Sequence, residues 1–220
     1  MVEVSTSVLS VKQGEEVPVF LALEKAKTDY FHIDVMDGKF VEKNTYSEML
    51  SYAQTIKRIS NLPLDVHFMV KDVEQAINDF SAVCPNQMTF HYEVSKTPEE
   101  ILARIQKIKE CHAKVGLSVK PETNVEEIYP YLPYIHTVLI MTVEPGKGGQ
   151  TLLTDMVEKI KQLKRYCSQE EIEIDIEVDG GINLRTAPLV KQAGANILVA
   201  GTAILMANNY QTIIQELKET

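Results

Sequence analysis

The chain has 220 residues, of which 45% are hydrophobic, and a formal net charge of -9 at pH 7. These values predict one large core and argue against a nucleic-acid-binding surface, which would be basic. Three cysteines without a C-x-x-C pair argue against a disulfide framework and a thiolate zinc cluster. The sequence shows neither a basic leader with a long apolar run nor a stretch long enough to cross a bilayer, so we expect a cytoplasmic protein that does not enter a membrane.

Eight short β-rich segments alternate with helix-like segments from one end of the chain to the other. The predicted strands are residues 2–9, 30–35, 64–69, 87–91, 114–119, 137–141, 173–178 and 197–200. The clearest helices are residues 72–82, 98–112, 155–166 and 185–193, and Thr97 followed by Pro98 is typical of a helix start. This alternation predicts a parallel sheet covered on both faces. The count of eight favours a closed (β/α)8 TIM barrel, a single domain over residues 1–220, rather than an open sheet.

Polar residues lie at the ends of three predicted strands. His32 and Asp34 point the same way because side chains alternate faces along a strand. His67 ends the third strand and Asp179 follows the seventh. The carboxyl ends of barrel strands build the active site, so these four side chains are predicted to meet. Two imidazoles and two carboxylates suit a divalent metal of borderline softness, and the alternative is a hydrogen-bonded His–Asp pair.

Glycine clusters follow the sixth, seventh and eighth strands. Glycine lets the backbone approach a ligand and present successive N–H groups, and the last two loops commonly bind phosphate in such barrels. We therefore predict a phosphate site here, with simple tight turns as the alternative. The residues of the three clusters are Gly146, Lys147, Gly148 and Gly149, then Gly180 and Gly181, then Gly201 and Thr202.

Six motifs, collinear over almost the whole chain, resemble the ribulose-phosphate 3-epimerase family. They are residues 7–10 (SVLS), 32–38 (HIDVMDG), 65–70 (DVHFMV), 141–146 (MTVEPG), 148–150 (GGQ) and 176–183 (IEVDGGIN). The resemblance implies a barrel of the ribulose-phosphate-binding type that interconverts D-ribulose 5-phosphate and D-xylulose 5-phosphate. It also implies a phosphorylated ketose as substrate, and we expect a homo-oligomer.

The resemblance assigns roles to residues of this chain. His32, Asp34, His67 and Asp179 would bind one divalent metal ion, and the two aspartates would form the acid/base pair. Zinc is our first expectation, with Fe(II), manganese and cobalt as alternatives. Met36, Met69 and Met141 resemble an apolar ceiling over the enediolate, and ordinary core packing is their alternative. The expected substrate-binding residues are Ser7, His67, Gly146, Lys147, Gly148, Gly149, Gly180, Gly181, Gly201 and Thr202.

The chemistry explains the residue types independently. Inverting a carbon next to a ketone requires removal of its proton and return of a proton to the opposite face, which two carboxyl groups can perform in both directions. The nearest rival is the same reaction on a six-carbon phosphoketose such as allulose 6-phosphate. A decarboxylase or hexulose-phosphate synthase type of barrel and a non-catalytic sugar-phosphate sensor are further alternatives.

Other polar residues have less specific interpretations. Asp65 and Glu177 each precede a proposed ligand by two residues, so they either orient His67 or fill the barrel interior. His91, at the end of the fourth strand, is interpreted as structural packing. Lys147 stands where the family usually has an aromatic residue, and it either contacts the phosphate or points outward.

Overall fold

The computed structural model describes residues 2–219. Its strands are β1 (Glu3–Ser7), β2 (Tyr30–Met36), β3 (Leu64–Met69), β4 (Gln87–His91), β5 (Lys114–Val119), β6 (Thr137–Met141), β7 (Asp175–Asp179) and β8 (Ile197–Ala200). Each pairs in parallel with the next, and β1 also pairs with β8, so the sheet closes. The predicted (β/α)8 TIM barrel is confirmed. Residues 1 and 220, which the predicted domain includes, lie outside the described residues.

Helices cover the outside of the barrel. They are α1 (Glu16–Lys25), α2 (Tyr46–Ile59), α3 (Val73–Ser81), α4 (Pro98–Glu110), α5 (Asp155–Gln169), α6 (Ala187–Ala193), α7 (Thr202–Leu205) and α8 (Tyr210–Glu219). The predicted cap of α4 is present, because Thr97 accepts a hydrogen bond from the Glu100 N–H. Within residues 2–219, no helix is both long and apolar enough to span a membrane.

The connection between β5 and β6 has no α-helix, unlike the other connections between consecutive strands. A 3-10 helix, Val125–Tyr134, connects β5 to β6, and it contains Pro130 and Pro133. Proline has no N–H to donate and its ring clashes with the preceding turn, so two prolines this close together disrupt a regular α-helix. This 3-10 helix still buries Val125, Ile128 and Leu132 in the hydrophobic core.

The predicted bounds of β3, β4, β5, β6 and β8 are confirmed, and the other strands differ at their ends. β1 stops at Ser7, two residues early, because the Val11 N–H donates to the Val8 carbonyl and closes a turn. β7 begins at Asp175 and continues to Asp179, which pairs with Met141 and Val199. Asp179 is therefore held inside the sheet rather than in the loop that follows it.

Alternation along β2 separates the apolar core from the barrel interior. Phe31, Ile33 and Val35 are fully buried in the core between sheet and helices. His32 and Asp34 share the other face, as the sequence predicted, and that face lines the barrel interior. This division gives the site a rigid frame, because the strands that carry it are packed on their outer face.

A buried polar layer lies inside the barrel beside His32. Gln87 Nε2 donates to Asp65 Oδ1 (3.0 Å) and to Glu177 Oε2 (3.1 Å). Ser5 Oγ donates to Asp65 Oδ2 and Thr137 Oγ1 donates to Gln87 Oε1. Burial and the charge of Asp65 raise the pKa of Glu177 well above its ordinary value. These bonds satisfy most of the polar groups in the layer, as buried polar side chains require.

Candidate active site

Four side chains from three strands meet at the carboxyl end of the barrel. His32 and Asp34 come from β2, His67 from β3 and Asp179 from β7. Each offers a nitrogen or oxygen atom, and these atoms all lie within 4.8 Å of one another. The parallel register of β2 and β3 pairs Asp34 with His67 directly. The structure thus brings together the four residues that the sequence singled out as ligands.

Asp34 occupies the centre of this cluster. Ser7 Oγ donates to Asp34 Oδ2 (2.7 Å), which fixes one carboxylate oxygen. Asp34 Oδ1 lies 3.3 Å from His32 Nε2 and 3.5 Å from His67 Nδ1. All three side chains are buried, with Asp34 only 3% exposed. One carboxylate oxygen therefore faces two imidazole nitrogens in a site with little access to bulk water.

The orientation of His32 is set by Asp65. His32 Nδ1 lies 2.6 Å from Asp65 Oδ2, because β2–β3 pairing places His32 opposite Asp65. Although burial acts to raise the pKa of Asp65, the charge of His32 and the hydrogen bonds hold it lower, at about 2, so Asp65 accepts and His32 Nδ1–H donates. Of the two predicted roles for Asp65, orienting His67 is wrong. Asp65 orients the histidine of the neighbouring strand instead.

Two ring nitrogens in the cluster have no hydrogen-bond partner among residues 2–219. These are His32 Nε2 and His67 Nδ1, both fully buried and both facing Asp34 Oδ1. Leaving such atoms unpaired costs about 1–3 kcal/mol each unless a cation or proton lies between them and the carboxylate. Two nitrogens and two carboxylates suit zinc, Fe(II), manganese or cobalt. The residues present therefore fit a divalent metal ion.

The two aspartates have opposite pKa shifts. Burial acts most strongly on Asp34 and opposes its ionisation, but the positive charge of His32 at 3.3 Å, with the contact of His67, lowers its pKa far below the ordinary value. Burial, aided by the negative charge of Asp34, raises the pKa of Asp179 to about 7. Below pH 7, Asp34 is therefore ionised while Asp179 holds a proton. Such a division is typical of an acid/base pair.

The histidines also differ in charge. Burial opposes protonation of His32, yet the charges of Asp65 and Asp34 raise its pKa well above 6.5. Burial lowers the pKa of His67 to about 4, so His67 is neutral at pH 7. Protonated His32 places a positive charge beside Asp34. A metal ion bound at this point would displace the proton from His32.

A cavity of about 270 Å³ opens above the cluster. Asp34 and Asp179 both line it, together with Met69 and Met141 from the predicted ceiling. Met36, the third predicted ceiling residue, is 1% exposed and is not part of the lining formed by the described residues. The remaining predicted substrate-binding residues that line the cavity are Ser7, Gly146, Lys147, Gly148, Gly149, Gly180, Gly181, Gly201 and Thr202.

The glycine loops meet at one side of this cavity. A Cβ atom at Gly148 or Gly149 would lie 3.9 Å from Thr202 Oγ1, so the loops after β6 and β8 are neighbours. The backbone N–H groups of Gly148, Gly149, Gly181 and Thr202 donate to no acceptor within residues 2–219. Several free donors on adjacent loops form a site suited to an anion.

Lys147 lies exposed at the cavity mouth. It also lines a neighbouring hollow of about 420 Å³, together with Lys39, Lys43 and Lys120. The Lys120 ammonium lies 4.6 Å from the centre of the Phe40 ring. Glu42 and Glu144 line the same hollow, so four lysines face two glutamates there, although the whole chain has a net charge of -9.

Sequence reasoning missed the role of one histidine. His91 is fully buried, and its Nε2 lies 3.0 Å from His67 Nε2. Its Nδ1 lies 3.1 Å from Glu93 Oε2. The sequence signal was the His-x-Glu pattern at the end of β4, on the same rim as the other site residues. The interpretation as packing is incomplete, because His91 also connects the cluster to a carboxylate.

The model of the ribulose-phosphate 3 epimerase family matches residues 3–205 of this chain. The ribulose-phosphate 3-epimerase of Methanocaldococcus jannaschii is 37% identical over 219 residues, covering 100% of this chain and 91% of the relative. The Bacillus subtilis enzyme of the same name is 36% identical, with 99% of both chains covered.

Solved structures of similar fold are more distant in sequence. KGPDC from Streptococcus mutans superimposes with a TM-score of 0.71 at 12% identity, covering 100% of this chain and 97% of that one. 3-Hexulose-6-phosphate synthase from Salmonella typhimurium gives a TM-score of 0.68 at 13% identity, with 99% and 97% covered. These likenesses support the barrel fold.

Proposed function

The chain belongs to the ribulose-phosphate 3-epimerase family, and we propose that it converts D-ribulose 5-phosphate to D-xylulose 5-phosphate by a metal-dependent, two-aspartate mechanism. Relatives named as this epimerase occur in archaea, bacteria, fungi and plants, which supports an enzyme of this type. The observation that carries the mechanism is a pair of carboxyl groups, Asp34 buried and Asp179 partly buried, that line one cavity and have opposite pKa shifts.

The acid/base roles follow from the ionisation states. The ionised Asp34 takes the C3 proton of the ketose, and the electron pair left behind forms an enediolate. The protonated Asp179 then gives its proton to the opposite face of C3, which inverts the configuration. Asp34 ends protonated and Asp179 ionised, which is the state that the reverse reaction requires. Proton exchange with water restores the starting state.

The metal is held, in this proposal, by His32 Nε2, His67 Nδ1 and the carboxylates of Asp34 and Asp179. When bound, it supplies positive charge that stabilises the negative charge of the enediolate oxygens. The protein contributes the fixed geometry: Ser7 holds one oxygen of Asp34, and Asp65 holds the ring of His32. Zinc remains the first expectation.

The phosphate end of the substrate is assigned to the glycine loops. Backbone N–H groups of Gly148, Gly149, Gly181 and Thr202 are free to donate to phosphate oxygens. Met69 and Met141 form apolar surface beside the sugar, which limits protonation of the enediolate by water. Lys147, at the mouth, adds positive charge to this end of the cavity in this assignment. A cytoplasmic location, a homo-oligomer and the extent of the domain stay predictions.

Comparing two substrates tests this assignment against the six-carbon alternative. We expect kcat/KM for D-ribulose 5-phosphate to exceed that for D-allulose 6-phosphate by at least about 10-fold, since one extra carbon in a shaped pocket is worth roughly 1–3 kcal/mol. Unphosphorylated D-ribulose is the control for the phosphate site and should react far more slowly. Equal or higher kcat/KM on the six-carbon sugar would favour the alternative.

A further inference from the structure

His67 is the first of three hydrogen-bonded side chains that extend from the site on the side away from Asp34. His67 Nε2 contacts His91 Nε2 at 3.0 Å, and His91 Nδ1 contacts Glu93 Oε2 at 3.1 Å. His91 ends β4, and Glu93 follows in a short 3-10 helix, Tyr92–Val94. Both histidines are fully buried. We refer to these residues as the Glu93–His91–His67 chain.

Glu93 is anchored at its other oxygen. Oε1 accepts from the Lys120 N–H (2.7 Å) and from Thr123 Oγ1 (2.5 Å) in the loop after β5. That loop is itself held by Lys159, whose ammonium donates to the carbonyls of Lys120, Pro121 and Thr123. The carboxylate therefore presents Oε2 to His91 from a fixed position.

The ring of Phe40 covers His91. The two ring centres lie 4.7 Å apart, and the ammonium groups of Lys71 and Lys120 lie 5.3 and 4.6 Å from the Phe40 ring centre. Because Phe40 keeps water away from the His91 ring, the hydrogen-bond partners of His91 are Glu93 and His67. Because the His91 ring is fully buried, a second proton on it would have to be held away from water, which is unfavourable, so the ring carries one proton.

The hydrogen-bond roles follow one after another. A carboxylate only accepts, so the proton of His91 lies on Nδ1 and is donated to Glu93. His91 Nε2 then has a lone pair and accepts from His67 Nε2–H. His67 consequently has no proton on Nδ1, the atom that faces Asp34 Oδ1 at 3.5 Å. The tautomer of a histidine is set by the hydrogen bond that its other nitrogen makes.

We propose that His91 and Glu93 are positioning residues that hold His67 in the Nε2–H tautomer, so that its Nδ1 lone pair is directed at the metal ion. This inference rests on the proposed metal site and extends it. It parallels the contact of His32 with Asp65, but it needs an intervening imidazole because the carboxylate comes from the segment after β4.

Glu93→Gln is the sharpest test, because the structure dictates how the new amide would lie. The Lys120 N–H can only donate, so the amide oxygen must stay at the Oε1 position and the NH2 group must face His91. His91 Nδ1 would then accept, its proton would move to Nε2, and His67 would be protonated on Nδ1. The tautomer that binds the metal would be lost without loss of any ligand.

Two readouts apply to the E93Q protein. The 15N chemical shifts of histidine-labelled, metal-free protein report which ring nitrogen of His67 is protonated, and we expect Nε2–H in the original chain and Nδ1–H in E93Q. The Kd for Zn²⁺, measured by competition with a chromophoric chelator, should rise by about 10- to 100-fold. Glu122→Gln removes an exposed carboxylate near the same loop, at 4.0 Å from Lys120 Nζ, and should change neither quantity.

A double-mutant comparison separates this role from general destabilisation. Glu93 acts through His91, so E93Q should weaken Zn²⁺ binding far less in a His91→Gln background than in the original chain. An Nδ1–H tautomer of His67 in the unsubstituted metal-free protein would overturn the inference even if the E93Q protein did not fold. So would unchanged Zn²⁺ affinity in folded E93Q. Failure of the unsubstituted protein to bind Zn²⁺ would instead count against the proposed metal site.

Discussion

Replacing Asp34 with asparagine is expected to lower kcat/KM by a factor of about 10⁴, the upper part of the range for general acid–base catalysis. The substitution removes the base that takes the C3 proton, and it replaces the charged carboxylate that faces both His32 Nε2 and His67 Nδ1 with a neutral amide. Since an amide oxygen is a weak base and a weak metal ligand, both functions are lost together. Steady-state kinetics on D-ribulose 5-phosphate, with zinc content measured in the same sample, check this result.

Asp175→Asn provides the matched control for D34N. Asp175 lies at the opposite end of β7 from Asp179, and its carboxylate accepts from Asn196 Nδ2 and faces Lys114. The change in charge is the same, but it is made at the far end of the barrel. We expect D175N to keep the kcat/KM of the original chain. A metal-loaded D34N protein retaining more than a tenth of the activity would contradict the role given to Asp34.

Substituting alanine for Gly181 is expected to raise KM for the phosphorylated substrate by at least about 100-fold. A Cβ atom here would lie 2.4 Å from the Leu152 backbone nitrogen and 2.9 Å from the Gln150 carbonyl oxygen, closer than real Cβ atoms come. Gly181 also has φ +66°, in the left-handed region, where a side chain costs about 1–2 kcal/mol. Relief of the overlap must move the loop after β6 or turn the Gly181 N–H away from the cavity.

Gly194→Ala separates this effect from backbone strain. Gly194 also has a positive φ, +122°, but it caps α6, and its added Cβ would meet the flexible side chain of Lys164. Both variants should lose thermal stability, and G181A alone should lose substrate affinity. Inorganic phosphate binding by calorimetry gives a second measure. Unchanged KM in folded G181A would remove the loop after β7 from the proposed phosphate site.

Most of the barrel was predictable because its strands have both faces buried. Such strands read as near-continuous apolar runs, and β3 to β6 and β8 have the predicted bounds. Strand ends were less predictable where side chains and turns decide them. The Val11 N–H closes a turn that ends β1, and pairing with β6 and β8 carries β7 on to Asp179.

The residues of the site were predictable, but their interactions were not. Strand-end placement was sufficient to bring His32, Asp34, His67 and Asp179 together, since parallel strands end on one rim. The partners of the histidines depend on the register between different strands. Pairing of His32 with Asp65 decides that Asp65 contacts His32 rather than the histidine on its own strand.

The difference in ionisation between the two aspartates also required the structure. Asp34 and Asp179 are the same residue type, and each lies near the carboxyl end of a predicted buried strand. Contact with two histidines lowers the pKa of Asp34, whereas burial beside the charge of Asp34 raises that of Asp179 to about 7. Only distances between β2, β3 and β7 distinguish the base from the acid.

The most direct test of two carboxyl groups acting in turn is deuterium incorporation at C3. Metal-loaded protein is incubated with D-ribulose 5-phosphate in D2O, and both sugars are followed by NMR from the earliest turnovers. Because Asp179 exchanges its proton with solvent before it delivers one, we predict that the first xylulose 5-phosphate formed carries deuterium at C3, while unreacted substrate keeps protium. Early product that retains protium at C3 would contradict the mechanism.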